Sequence, residues 1–292
     1  MIRLLAPAKI NIGLRVPGKR NDGYHWIVTL MQAISLYDEI AFASADRYEL
    51  HCSGEWQVPE DESNLVTKAV RAFEHLTGIV AKVRIDVTKR IPLGGGLGGG
   101  SSDAVAALIG CNNFFQTNLQ ESDLLALATG IGSDCPFFLR GGIQEATGRG
   151  EILTPLKAML PGVFGLWFPG VSVNTGVAYA RLNRNLTQES PSLILSSCLR
   201  SENDWRSDPQ LKNDFEPVVA NELAYWDDAR EFWMSCGAKW VSMSGSGSCQ
   251  VAHFDVMKVC AAAVLQFPFG GRTWAVEPIP QGVVYLNDSG AL

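Results

Sequence analysis

Along the start of the chain apolar and polar positions alternate: Ile10, Ile12, Leu14 and Val16 are separated by Lys9, Asn11, Gly13 and Arg15. A period of two predicts a half-buried strand, with Lys9 and Asn11 together on its more polar face. Asp22-Gly23 marks a turn, and strand-like segments follow over 27–34 and 39–43. The period then changes. Leu65, Val66, Ala69, Val70, Phe73 and Leu76 make one apolar stripe, which predicts an amphipathic helix over 64–76. Val83, Ile85 and Val87 alternate with Arg84, Asp86 and Thr88 as another strand, and 104–109 and 121–128 read as helices. Residues 190–207 are polar and aperiodic, so loops and short helices are expected there. Beyond them, 216–236 reads mostly as helix, interrupted or preceded by Pro217. Residues 238–243 and 249–254 read as strands, 255–265 as a helix and 272–277 as a final strand. Strands and helices interleave without strict βαβ repetition, which favours an α+β fold. A first domain over 1–155 and a second over 156–292 are expected, with the last ten or so residues packing back on the first.

Composition narrows the class. A chain of 292 residues that is 47% hydrophobic can bury a sizeable core. A formal charge of −6 and no basic run argue against a nucleic-acid surface. Seven cysteines without a C-x-x-C pair suggest reduced thiols and a cytoplasmic setting. Four scattered histidines give no metal-ligand spacing. Residues 1–5 are too short for a signal h-region, and the uncharged stretch 158–175 is broken by Pro161, Gly162, Gly165, Pro169 and Gly170, a poor membrane span.

The densest chemistry lies in Pro92-Leu93-Gly94-Gly95-Gly96-Leu97-Gly98-Gly99-Gly100-Ser101-Ser102-Asp103, between the strand ending near Thr88 and the helix beginning near Ala104. Glycines let backbone N–H groups approach a phosphate, and a helix N-terminus favours negative charge. Ser101, Ser102 or Asp103 can cap that helix. A flexible linker is the plain alternative, but a linker is not bracketed this tightly by a strand and a capped helix. A Walker A loop would need Lys where Ser101 stands. The dinucleotide fingerprint is met formally by Gly94, Gly96 and Gly99, yet the second parallel strand it requires does not follow.

This loop resembles the Pro-x-Gly-x-Gly-Leu-Gly-x-x-Ser-Ser motif of the GHMP kinases, the small-molecule kinases named after galactokinase, homoserine kinase, mevalonate kinase and phosphomevalonate kinase. Two further segments match in order. Ala6-Pro7-Ala8-Lys9-Ile10-Asn11-Ile12-Gly13-Leu14 resembles the first motif of the family, and Ser242-Met243-Ser244-Gly245-Ser246-Gly247-Ser248-Cys249 its third. The resemblance spans most of the chain. It implies a domain like ribosomal protein S5 followed by a ferredoxin-like domain, with the active site between them. It also implies ATP with Mg²⁺ as co-substrate and no tightly bound cofactor. Arg20-Asn21-Asp22-Gly23-Tyr24-His25, Gly132-Ser133-Asp134-Cys135-Pro136, Gly150-Glu151-Ile152-Leu153-Thr154-Pro155 and Pro169-Gly170-Val171-Ser172-Val173-Asn174-Thr175 narrow it to members acting on a cytidine-diphosphate-linked small molecule of isoprenoid precursor synthesis. A monomer or weak dimer is expected.

Phosphoryl transfer to an alcohol requires alignment, charge neutralisation and removal of the hydroxyl proton. Asp134, between glycine-rich chain and Pro136, suits a cleft loop; on its own it reads more readily as a turn residue. The resemblance assigns it the role of base. Lys9, inside an otherwise apolar strand, can hold Asp134 ionised, or can simply guard a sheet edge. Ser101 and Ser102 offer hydroxyls to phosphate or to Mg²⁺. Asn64 and Lys89 match positions near the adenine, each with an ordinary reading as a cap or surface charge. Tyr24, His25 and Tyr179 match base-binding positions, and Asn11, Thr175 and Gly245 complete the substrate side. Met31 stands where Phe is expected. The alternatives are another kinase of the family, of mevalonate or homoserine type, and a catalytically dead ATP-binding sensor.

Overall fold

In a computed structural model, residues 2–157, 159–182, 194–199 and 204–286 are described. The chain opens with two long antiparallel strands, β1 (Ile2–Lys19) and β2 (His25–Ser44). Next come β3 (Glu49–Gly54), α1 (Leu65–Thr77), β4 (Val83–Lys89), α2 (Gly99–Phe114), α3 (Glu121–Ile131) and the single turn α4 (Phe137–Arg140). A hairpin of β5 (Ile143–Thr147) and β6 (Ile152–Pro155) follows. Then come β7 (Val163–Phe168), α5 (Thr175–Arg181), α6 (Glu216–Val219), α7 (Trp226–Ser235), β8 (Trp240–Met243), β9 (Gln250–Phe254), α8 (Met257–Leu265), β10 (Arg272–Val276) and β11 (Val284–Tyr285).

Among the described residues the strands form two sheets. One has seven strands, in the order β11-β1-β2-β4-β3, with β5 beside the first part of β2 and β6 beyond it. The other has four, in the order β10-β7-β9-β8. The change of sheet falls between Pro155 and Val163, and the chain returns to the first sheet where Leu4 and Leu5 face Tyr285 and Val284. Residues 287–292 of the expected return segment lie outside the described residues.

The alternation in β1 and β2 explains how one strand pair serves two cores. Leu4 and Ala6 pack with α1 and α2 side chains such as Phe73 and Leu108, whereas Ala8, Ile10 and Ile12 pack with Phe164, Leu166 and Val251 of the second sheet. Between Pro7, which faces Tyr37, and Ala8, which faces Ile34, β2 carries two extra residues, and at this bulge both strands turn their apolar residues to the opposite face. β2 switches in step: Val28, Leu30 and Ile34 face the second sheet, Ile40 and Phe42 the helices. The segments expected separately over 27–34 and 39–43 are therefore one bulged strand. Past the bulge Lys9 and Asn11 point to the helix side. A further core, with Trp167, Trp233 and Phe254, joins the second sheet to α7 and α8.

Local departures have local causes. The helix expected over 216–236 is broken. Pro217 sits in the short α6, a 3₁₀ turn covers Ala220–Glu222, and Tyr225 adopts φ +60° before α7. Within 190–207 there are 3₁₀ turns at Leu195–Leu199 and Trp205–Ser207, while 190–193 and 200–203 lie outside the described residues. The strand over 272–276 is not the last, because β11 follows it.

Candidate active site

The glycine loop connects β4 to α2, and its backbone groups are sorted by side. The carbonyls of Leu93, Gly94, Gly95, Gly96 and Leu97 accept, in turn, from Ser172 Oγ, Val173 N, Cys249 N, Ser244 Oγ and Lys9 N, at 2.8–3.1 Å. Gly98 O accepts from Ser102 N within the helix start. None of the amides of Gly94 through Gly98 donates to another described residue. A loop whose acceptors all face the protein presents its donors to the cleft, which is an anion cradle at a helix N-terminus. Two glycines are needed for close approach. At Gly96, φ +75°, a Cβ would lie 2.1 Å from Ser244 O, and at Gly98, φ +73°, 2.8 Å from Phe138. Gly98 is also the N-cap of α2. Ser101, Ser102 and Asp103, expected as caps, lie inside the helix, Asp103 as its fifth residue.

Beneath the loop, Lys89 is 1% exposed and its Nζ donates to Asp38 and, at 2.6 Å, to Asp103 of α2. The second Asp38 oxygen accepts from Arg90 N and Ile91 N. Burial alone would lower the Lys89 pKa; the two carboxylates outweigh it and hold the ammonium charged. Burial pushes Asp103 up to about 8, against the pull of Lys89. This cluster ties β2, β4 and α2 together under the cradle.

Lys9 reaches the cleft from β1. Its Nζ, nearly buried, donates to Asn11 Oδ1 at 2.7 Å and stands 3.5 Å from Asp134 Oδ2. Asn11 Nδ2 donates to Thr29 Oγ1 (2.7 Å), and Thr29 donates on to Gly13 O (2.6 Å), so the amide is locked with its oxygen toward Lys9. The Asp134 side chain is 40% exposed in the loop between α3 and α4. A carboxylate beside a held ammonium, open to solvent and next to an anion cradle, can accept a proton from a bound hydroxyl.

Opposite lies an aromatic wall. The His25 and Tyr179 rings stack at 4.7 Å with 20° between planes, and Phe215 meets Tyr179 edge-on at 4.8 Å. Burial, then the charge of Lys19, lowers the His25 pKa, which favours a neutral imidazole able to donate and accept. Burial and the nearby Asp134 carboxylate raise the Tyr179 phenol above the tyrosine range. Tyr24 is exposed, and the Arg149 guanidinium lies over its ring at 4.8 Å.

These groups share one cleft of about 800 Å³, within the range of small-molecule sites. Lys9, Asn11, Tyr24, His25, Lys89, Asp134, Thr175, Tyr179 and Gly245 line it, with Pro92 through Ser101. Asn64, Ser102 and Met31 do not. Asn64 caps α1 by accepting from Val66 N, Ser102 is fully buried, and Met31 packs in the core on the helix side. Sequence reasoning missed Ser244, Asn213, Thr29, Phe215 and Arg149. Ser244 Oγ accepts from Asn11 N (3.2 Å) while donating to Gly96 O, and Asn213 Nδ2 donates to Met243 O and Gly245 O at 2.7 and 2.8 Å. Ser244 could have been found from its place in the third glycine segment; Asn213 lies in an aperiodic stretch that carries no signal. A separate groove of about 640 Å³ between α1 and α3, lined by Ala72, Leu76 and Leu127 among others, gathers no comparable chemistry.

Residues 64–142 match the model of the GHMP kinase N-terminal domain. The chain is 41% identical over 261 residues to a protein of Chlorobium phaeobacteroides named 4-diphosphocytidyl-2-C-methyl-D-erythritol kinase, covering 88% of this chain and 90% of that one. A crystal structure of 4-(cytidine 5'-diphospho)-2C-methyl-D-erythritol kinase superposes with a TM-score of 0.78 at 33% identity, over 94% of this chain and 98% of the other. A homoserine kinase from Cytophaga hutchinsonii gives 0.72 at 19% identity, over 97% and 96%, which is a likeness of fold.

Proposed function

The chain belongs to the 4-diphosphocytidyl-2-C-methyl-D-erythritol kinases of the GHMP family, and on that premise we propose how its cleft carries out the transfer. The enzyme moves the γ-phosphoryl group of ATP to the 2-hydroxyl of 4-(cytidine 5'-diphospho)-2-C-methyl-D-erythritol. The glycine loop holds the phosphates through its inward amides and the N-terminus of α2. Asp134 takes the hydroxyl proton, and Lys9 sets its ammonium beside that carboxylate and polarises the acceptor oxygen. The Lys9–Asp134 separation of 3.5 Å beside the loop is the observation that carries this reading. The nucleotide enters with Mg²⁺. Among the described residues no carboxylate cluster could cage the ion. The donor set therefore fits an ion held by phosphate oxygens and water, with the Ser101 hydroxyl as the loop's serine on the cleft. That ion would neutralise phosphate charge.

Tyr24 and Tyr179 offer ring faces to the cytosine, and a neutral His25 reads its edge once it leaves the face of Tyr179. A mevalonate or homoserine kinase would have no use for that wall, and a dead sensor no use for Lys9 beside Asp134. Seven free thiols suit a reducing compartment and support a reading of the enzyme as cytoplasmic. Among the described residues no helix is long and apolar enough to cross a membrane.

The test is turnover of the cytidine-linked alcohol, mevalonate and homoserine with ATP, by wild type and Asp134→Asn. The expected result is ADP from the first substrate alone, with kcat lowered roughly 10²–10⁴-fold in the variant and ATP binding kept. Near-normal turnover by Asp134→Asn would remove the base from the mechanism.

A further inference from the structure

The substrate proposed above carries a diphosphate, and the glycine loop is occupied by the triphosphate of its partner. The second anion needs its own cation, because a chain of net charge −6 offers no general attraction. Among the described residues three lysine or arginine side chains line the cleft: Lys9, Lys89 and Arg149. Lys89 is sealed between Asp38 and Asp103, and Lys9 is committed to Asn11 and Asp134. Arg149 stands differently. It is about one-third exposed (34%), on the turn between β5 and β6, where Gly148 and Gly150 have φ +75° and +110°. Glu151 Oε1 forms an ion pair with Arg149 Nε at 3.6 Å, longer than a hydrogen bond and on the Nε side, so the two terminal nitrogens of the fork are not taken up by it. The other Glu151 oxygen accepts from the backbone N–H of Arg149 at 2.6 Å. The carboxylate thus fixes the turn and leaves the fork of the guanidinium open. The guanidinium lies over the Tyr24 ring, and a stacked guanidinium keeps its N–H edge directed outward.

We infer that Arg149 is a specificity-determining residue that binds the diphosphate of the nucleoside-diphosphate substrate, held at the cleft mouth by the face of Tyr24. A planar fork of donors matches phosphate oxygens two at a time. This inference rests on the cytidine-linked substrate proposed above, and the two can fail separately.

The experiment measures inhibition of turnover by cytidine 5'-diphosphate and by cytidine, at saturating ATP, in wild type, Arg149→Ala and Arg149→Lys. The diphosphate should bind wild type more tightly than the nucleoside does. Arg149→Ala should weaken the diphosphate about tenfold, at the lower end for a charged hydrogen bond, and leave cytidine unchanged. Arg149→Lys, which keeps the charge without the fork, should fall between. Equal weakening of both ligands would make Arg149 a prop for Tyr24, and no weakening of either would remove it from the site. Both results overturn the inference while the substrate assignment stands. If wild type binds neither ligand, the assignment itself fails, and the inference with it.

Discussion

Asp103, the fifth residue of α2, sits buried with one oxygen on Lys89 and the other without a partner. Burial raises its pKa from the ordinary 3.8 to about 8. A carboxyl that binds its proton more tightly when folded stabilises the fold below about pH 4, and that contribution drains away as pH rises toward 8. Thermal melts should therefore show wild type losing stability between pH 5 and pH 8.5, and Asp103→Asn losing less, because the amide does not titrate. Parallel curves for the two proteins would mean that Lys89 holds Asp103 ionised throughout. Side-chain partnerships of this kind are what the sequence leaves unread. Lys9, Asn11 and Asp134 stand together as their motifs suggest, since each motif carries its own strand or loop. Asn64 caps α1, as its ordinary reading has it, whereas Lys89, read otherwise as a surface charge, is buried against two carboxylates that no spacing rule announces.

At the scale of elements, alternation was legible wherever a strand has one polar side, as in β4, and less so elsewhere. β7 is buried on both faces and so shows no alternation, and β11 has two residues. The bulge in β1 and β2 makes one strand look like two. The helix after the loop was legible from its apolar run, but its start was not. A left-handed Gly98 replaces the side-chain cap, and α2 begins at Gly99. This start makes Gly100 a selective probe. A Cβ there meets Leu65 Cδ1 at 3.6 Å, an ordinary contact, and both residues line the cleft. Gly100→Ala should keep or raise stability, by up to ~1 kcal/mol from helix propensity, while raising KM for ATP. Gly96→Ala should lower the melting temperature outright, since its Cβ would strike Ser244 O. An unchanged KM for ATP in Gly100→Ala would show that the first turn of α2 does not touch the nucleotide.

For the whole molecule, the cleft is made by parts that the chain keeps far apart. The glycine loop belongs to the first sheet and its helices, yet Val173, Ser244 and Cys249 from the other side hold its carbonyls. The aromatic wall is also shared: Tyr24 and His25 follow the first hairpin turn, while Tyr179 lies on α5. The two nucleotides should thus respond independently to changes at the wall. Stacking on an aromatic face is worth ~1–3 kcal/mol per base, about ten- to a hundredfold in affinity. Tyr179→Ala should raise KM for the cytidine-linked substrate by such a factor and leave KM for ATP unchanged. Tyr179→Phe, which keeps the face and the edge contact with Phe215, should stay near wild type. Steady-state kinetics with each substrate varied in turn decide the matter. A rise in KM for ATP with the cytidine substrate spared would mean that the two nucleotide sites are interchanged, with the adenine against the wall and the cytosine beside α2.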